Sequence, residues 1–424
     1  IYSWKIFAIF IVGSLLYVGW ITIFLERRAQ IDYQKFTHNA DNQSELIELI
    51  QGMQEIKLQN SEYKHRWKWM DIQAKLFKAN IKSLEITQYQ DVGAGFINQL
   101  KDILITFFAA TAVIQGSITL GMMLAIQYII GQMNGPLQQL VLFLRTAQDA
   151  KLSLERLGEI HSKEGEEEDN SNRTDVVPIN QDIHIENLNF RYNQLSDDVL
   201  QDINLTIPAG KVTAIVGTSG SGKTTLVKLL LGFYDPTRGN IRIGGIPLKN
   251  IVKKVWRAKC GAVMQDGYVF SDTIAKNIAE IDDTVDKHKL LQAVQTANIQ
   301  SFVEMLPLGY NTKIGRKGNG LSQGQKQRLL IARAVYKNPD FLFFDEATNA
   351  LDAKNEKIIM ENMDRFFAGR TVLVVAHRLS TVKNADQIIV LERGKLIEKG
   401  THASLVEQRG AYFRLVKNQL ELGN

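Results

Sequence analysis

Three kinds of hydrophobic pattern follow one another along this chain. The first is unbroken. Ile6 to Leu25 carries no charged residue and is about long enough to cross a bilayer. A second charge-free stretch, Ile103 to Leu144, is roughly two spans long, and Gln115-Gly116-Ser117 near its middle suits a turn between helices. The second pattern lies between them. Arg27 to Lys101 has few glycines, no proline and apolar residues at helical spacing in Leu46, Ile47, Leu49, Ile50, Met53 and Ile56. This predicts two long helices that continue the flanking spans and meet at a turn near Gln59-Asn60-Ser61-Glu62.

The third pattern begins at Asp182, where short β-type runs alternate with helices. Ile183–Tyr192 and Leu200–Ile207 read as strands of an antiparallel sheet. Val212–Val216, Phe341–Phe344 and Val372–Ala376 are compact apolar runs that suit buried parallel strands. Ile388–Leu391 and Lys395–Lys399 read as a hairpin, and Ser271 to about Asn338 as mostly helical.

Composition alone does not announce a membrane protein, since 45% of the 424 residues are hydrophobic. The distribution does. Ile6–Leu25 is not a signal peptide, because Glu26-Arg27-Arg28 follows instead of a small-residue cleavage site. The alternative for Ile103–Leu144 is a very apolar soluble core. The net charge is +5. Basic residues cluster beside the spans at Arg27, Arg28, Lys57, Lys64, Arg66, Lys68, Lys75, Lys78, Lys82 and Lys101, and again at Arg145, Lys151 and Arg156. The turn near Gly116 has none, which puts the basic segments in the cytoplasm. The single Cys260 excludes an intramolecular disulfide and suits a small buried hydrophobe. The chain does not start with methionine and opens almost directly into a span, so it reads as a fragment lacking its N-terminal portion.

Candidate chemistry follows the Val212–Val216 strand. Gly217-Thr218-Ser219-Gly220-Ser221-Gly222-Lys223-Thr224 joins it to a helix beginning near Leu226, the setting of a phosphate-binding loop. Glycines let successive backbone N–H groups face a triphosphate at a helix N-terminus. Lys223 would reach the β- and γ-phosphates and Thr224 would hold Mg²⁺. Phe341 to Glu346 is an apolar strand ending in two carboxylates. Asp345 can reach Mg²⁺ through water, and Glu346 can orient or deprotonate the attacking water.

With these motifs on the page, the chain resembles an ABC transporter of the exporter type, a half-transporter, over nearly all of Asp182 to Leu422. Leu321-Ser322-Gln323-Gly324-Gln325 is similar to the family signature, with Gln323 where the family has glycine. Gln265 matches the glutamine loop, Asn349-Ala350-Leu351-Asp352 the D-loop (with Asn349 in place of the usual serine), His377 the switch histidine, and Tyr192 the aromatic that stacks on adenine. The resemblance implies catalytic roles for Glu346, His377, Lys223 and Gln265. It implies ATP contacts from Tyr192, Gly217, Thr218, Ser219, Gly220, Ser221, Gly222, Lys223, Thr224, Thr225, Gln265, Ser322, Gly324, Gln325 and Asp352. Mg²⁺ would be held by Thr224, Gln265 and Asp345.

The implied fold is an all-α transmembrane domain of about three spans, followed by an α/β P-loop ATPase domain with antiparallel β and helical subdomains. The expected boundaries are residues 1–160 for the membrane part, 161–181 for an acidic linker around Glu164 to Ser171, and 182–424 for the ATPase. The family signature is supplied by a second subunit, so the implied partner is a second copy or a related half-transporter. The turn near Gln59–Glu62 matches an intracellular coupling helix. Glu55-Ile56-Lys57, Arg66-Trp67-Lys68-Trp69 and Ser153-Leu154-Glu155-Arg156-Leu157 resemble peptidase-containing bacterial exporters of peptides and bacteriocins. The expected function is ATP-driven export of a peptide across the bacterial inner membrane, with the ATPase in the cytoplasm. No protease lies within the chain. An exporter of lipid, drug or metal is the alternative. A soluble ABC ATPase on nucleic acid is a more distant one, which the charge-free spans argue against.

Overall fold

The computed structural model describes residues 4–162, 165, 173–178, 180–315, 318, 320–345, 353–376 and 382–422. They fall into two units, divided between residues 164 and 165, each with its own core. Of the acidic linker expected at 161–181, residues 163, 164, 166–172 and 179 lie outside the described residues.

The first unit is helical: α1 (Trp4–Ile23), α2 (Leu25–Gln51), α3 (Met53–Leu58), α4 (Glu62–Ile114) and α5 (Leu120–His161). Both expected turns are present. Asn60 takes a positive φ between α3 and α4, and Gly116 does so between α4 and α5. The first expected long helix is broken twice. Gly52 separates α2 from α3, and Phe24 separates α1 from α2. At the Phe24 break two carbonyls find donors on other helices. Gln90 Nε2 of α4 donates to Ile21 O at 3.0 Å, and Gln148 Nε2 of α5 donates to Leu25 O at 2.7 Å. Farther along, Asn42 Oδ1 accepts from Trp69 Nε1 (3.0 Å) and Gln73 Nε2 (2.6 Å), tying α2 to α4.

Two segments among the described residues are long and apolar enough to cross a membrane, α1 with its continuation and α4. In α5 the charge-free part is diluted by Gln127, Gln132, Asn134, Gln138 and Gln139. Lys101 corrects the sequence reading. It was expected among the basic residues beside the spans in the cytoplasm, yet it is only 3% exposed, packed between helices beside Phe10 and Gly13. The burial depends on polar partners, one of which, Asn134, lies on another helix.

The second unit is built on a six-stranded sheet of order β10-β9-β3-β8-β7-β6. Its strands are β3 (Val212–Gly217), β6 (Cys260–Val263), β7 (Phe341–Asp345), β8 (Thr371–Val375), β9 (Gln387–Glu392) and β10 (Lys395–Gly400). All neighbours pair in parallel except the terminal hairpin β9–β10. Alternate residues feed two cores. Ala214, Val216, Leu342 and Phe344 face a helical layer, while Ile215, Phe341 and Phe343 face the opposite core with Leu226 and Trp256. Burial on both faces explains why these strands are continuous apolar runs.

A second, antiparallel sheet covers that opposite core. It contains β1 (Ile183–Phe190), β2 (Leu200–Ile207), β4 (Arg238–Ile243) and β5 (Ile246–Pro247), in the order β2-β1-β4-β5. Helices α6 (Lys223–Leu230) and α7 (Lys253–Lys259) pack into that opposite core, and the helical layer includes α8 (Ile274–Ile278), α9 (Lys287–Thr296), α10 (Gln300–Glu304) and α11 (Gln323–Lys337), with α12 (Ala353–Phe367) following β7. Cys260 is buried as expected, and burial pushes its thiol well above its ordinary value.

Candidate nucleotide site

The loop after β3 is shaped by glycines that nothing else could replace. Gly217 has φ +155°, and a side chain there would collide with the Leu391 carbonyl. Gly222 sits at φ +96° against Leu200 and is the residue before α6. Gly220, at φ +77°, faces open space. Among the described residues no side chain caps α6, whose N-terminus opens from this loop as an anion site would.

Lys223 is nearly buried and folds back over this loop. Its Nζ donates to Gly217 O at 3.0 Å and Thr218 O at 2.9 Å. Ser221 Oγ is buried with no hydrogen-bond partner among the described residues. Thr218 and Ser219 are exposed, Thr224 is half-buried and Thr225 is buried. A donor-rich cradle with an ammonium at its centre, an orphaned hydroxyl and an open glycine fits a phosphate chain.

Asp345 is fully buried at the C-terminal end of β7, beside Val375 of β8. Gln265 is exposed two residues past β6. Thr224, Gln265 and Asp345 therefore follow the carboxyl ends of parallel strands, where open α/β sheets bind ligands. These oxygen donors suit Mg²⁺. Tyr192 OH lies 3.0 Å from Thr225 Oγ1, and its half-exposed ring meets Phe190 and Tyr234 edge-on. Glu346, Asn349, Ala350, Leu351, Asp352 and His377 lie outside the described residues.

The signature turn begins α11. Ser322 Oγ accepts from Gln325 N at 3.2 Å, and Gln325 Oε1 accepts from Ser322 N at 2.8 Å. This reciprocal cap holds the turn, so the Gln325 side chain serves the backbone, a role that the Ser-x-x-Gln spacing signals. Gln323 is the first helical residue, exposed and without positive φ. That conformation makes no demand for glycine, which explains how Gln323 is accommodated.

Two residues not singled out from sequence shape the arm beyond Gln265. Asn277 is fully buried. Its carboxamide accepts from Phe270 N and donates to the Phe270 and Thr273 carbonyls. Arg333 of α11 donates to Asn277 O and to Tyr268 O. The glutamine-loop arm is thereby fastened to the signature helix.

Comparison with known proteins agrees with this geometry. The family model described as ABC transporter transmembrane region matches residues 1–137, and the ABC transporter model matches residues 200–349. The exotoxin translocation ATP-binding protein PaxB of Pasteurella aerogenes is 37% identical over 99% of this chain and 59% of its own length. The alpha-hemolysin translocation ATP-binding protein HlyB of Escherichia coli is 37% identical over 96% of this chain and 57% of its own. The chain thus spans somewhat over half the length of these relatives. A solved structure of a bacterial Atm1-family ABC exporter with ATP bound superposes with a TM-score of 0.92 at 29% identity, covering 98% of this chain and 72% of that one. A membrane-region match, an ATP-binding match and a structural likeness over 98% of this chain converge on one assignment: this chain belongs to the ABC transporter family, as a half-transporter of the exporter type.

Proposed function

We propose that this chain is the ATP-hydrolysing, membrane-spanning subunit of an exporter in the bacterial cytoplasmic membrane, and that its cargo is polypeptide. The observation that carries the ATPase reading is the Lys223 ammonium resting on the Gly217 and Thr218 carbonyls inside an open glycine cradle. ATP is the substrate whose γ-phosphoryl group is transferred, and a bound Mg²⁺ would supply charge neutralisation there. Lys223 and the loop N–H groups position the phosphates. Thr224, Gln265 and Asp345 would hold the metal. Glu346 takes the proton of the attacking water, and His377 keeps that water in line. Ser322 and Gly324 start a helix of the helical layer, whereas the phosphate loop leaves the central sheet. We assign the signature to nucleotide held by a second copy, so that two copies close around it and part after hydrolysis. The α3–α4 turn is the proposed coupling point to the ATP-binding domains.

Polypeptide cargo is supported by the relatives named for translocation of an exotoxin and of alpha-hemolysin. The test is transport. Vesicles containing the protein should accumulate a labelled unstructured polypeptide only with ATP and Mg²⁺, and Glu346→Gln should stop accumulation while still binding ATP. Vesicles that move lipid or small drugs but no polypeptide would overturn the cargo assignment.

A further inference from the structure

The nucleotide chemistry does not use the polar interior of the membrane unit. Lys101 Nζ lies 2.8 Å from Asn98 Oδ1, 3.0 Å from Asn134 Oδ1 and 3.6 Å from Asp102 Oδ1. Asn134 Nδ2 reaches Asp102 Oδ2 at 3.4 Å, joining α5 to α4. The lysine stem is admitted by Gly13 of α1, where a Cβ would stand 2.6 Å from Lys101 Cγ. Lys101 precedes the end of α4 at Ile114 by 13 residues. At 1.5 Å per residue that is about 20 Å, well inside a hydrocarbon layer about 30 Å thick. Ionisable groups at such depth are costly and mark functional interiors, not lipid-facing surfaces.

Next to this cluster is a cavity of about 290 Å³ between α1, α4 and α5. Asn98 and Asn134 belong to both the cluster and the cavity wall, which Gln138 and Tyr17 continue. Asp91 stands on the same wall nearer the start of α4. The Lys101 charge is offset by Asp102, so the cluster asks for no anion. Besides the Tyr17 ring and the Asp91 carboxylate, the polar groups on this wall are carboxamides, each carrying the donor and acceptor of a peptide bond.

We propose that this cavity holds a stretch of the exported chain through its backbone, with Asn98 and Gln138 pairing with peptide N–H and C=O groups. This rests on the polypeptide reading given above and deepens it. Backbone pairing is indifferent to side-chain identity, which a conduit for a long unfolded chain requires. Lys101 and Asp102 act as positioning residues that fix the Asn98 and Asn134 rotamers.

The experiment compares two probes on the protein in nanodiscs: an uncharged, unstructured Gly/Ala/Ser peptide and the same peptide with N-methylated backbone. The readout is the peptide concentration giving half-maximal stimulation of ATP hydrolysis. N-methylation should raise that concentration about tenfold, the loss of one or two hydrogen bonds. Gln138→Leu, at an exposed position, and Asn98→Leu should shrink the ratio to about twofold or less, and Asn98→Gln should keep most of it. Equal stimulation by both peptides, or an undiminished ratio in both leucine variants, overturns the site and leaves polypeptide export standing. Stimulation by neither peptide overturns the polypeptide reading and this inference together.

Discussion

Arg333 grips Asn277 twice, donating to its main-chain oxygen at 2.7 Å and to its side-chain oxygen at 3.1 Å. A third bond, to Tyr268 O at 2.9 Å, carries the grip onto the arm that follows Gln265. Asn277→Ala should cost about 1–2 kcal/mol, because it strips partners from part-buried main-chain groups at Phe270 and Thr273. Thermal unfolding should register a corresponding drop in melting temperature. A change within about 0.5 kcal/mol would show that the network is dispensable.

Lys223→Ala should weaken ATP binding about 10- to 100-fold, the worth of a charge-assisted contact to phosphate. Equilibrium titration with a fluorescent ATP analogue measures this directly. Unaltered affinity would contradict the phosphate-loop assignment.

Gly13 and Gly19 lie on the same helix, yet only one is crowded. A Cβ at Gly13 meets the Lys101 stem, and one at Gly19 meets nothing within 4 Å. Gly13→Ala should destabilise the membrane unit by about 1–3 kcal/mol, with Gly19→Ala within about 0.5 kcal/mol of the parent. Heating curves in matched nanodiscs separate the two. Equal effects would mean that Lys101 is not held where described.

Asp286 caps α9, accepting from His288 N at 2.9 Å and Lys289 N at 3.2 Å. These amides, that of Lys289 foremost, hold its carboxyl below its ordinary value of 3.8. A lowered folded-state value means that the stabilisation is complete above 3.8 and is lost as pH falls through the lower folded-state value. The melting-temperature gap between the parent and Asp286→Ala should therefore be widest near neutrality and close in acid. A gap that widens in acid would refute the cap.

The sequence made the catalytic scaffold legible for a specific reason. Strands β3, β7 and β8 are buried on both faces, so Val212–Val216, Phe341–Phe344 and Val372–Ala376 stand out as bare apolar runs beside polar turns. The turns at Asn60 and Gly116 were equally plain, since each interrupts a long helical pattern. Less legible was anything made by residues far apart. Lys101 reads as a cytoplasmic charge beside a span until Asn134 is brought from α5, and Arg333 meets Asn277 across 56 positions with no shared periodicity. The Ser322–Gln325 cap was written locally, but the signature resemblance drew both residues toward nucleotide. The Phe24 break has no proline or glycine at the site to announce it.

That break has a mechanical consequence. The carbonyls of Ile21 and Leu25 are splinted by Gln90 and Gln148, which ride on separate rods. Flexing at this joint must either drag both rods along or break a splint. The elbow therefore belongs to three helices at once, and torque applied to α2 reaches the bilayer as a shared motion.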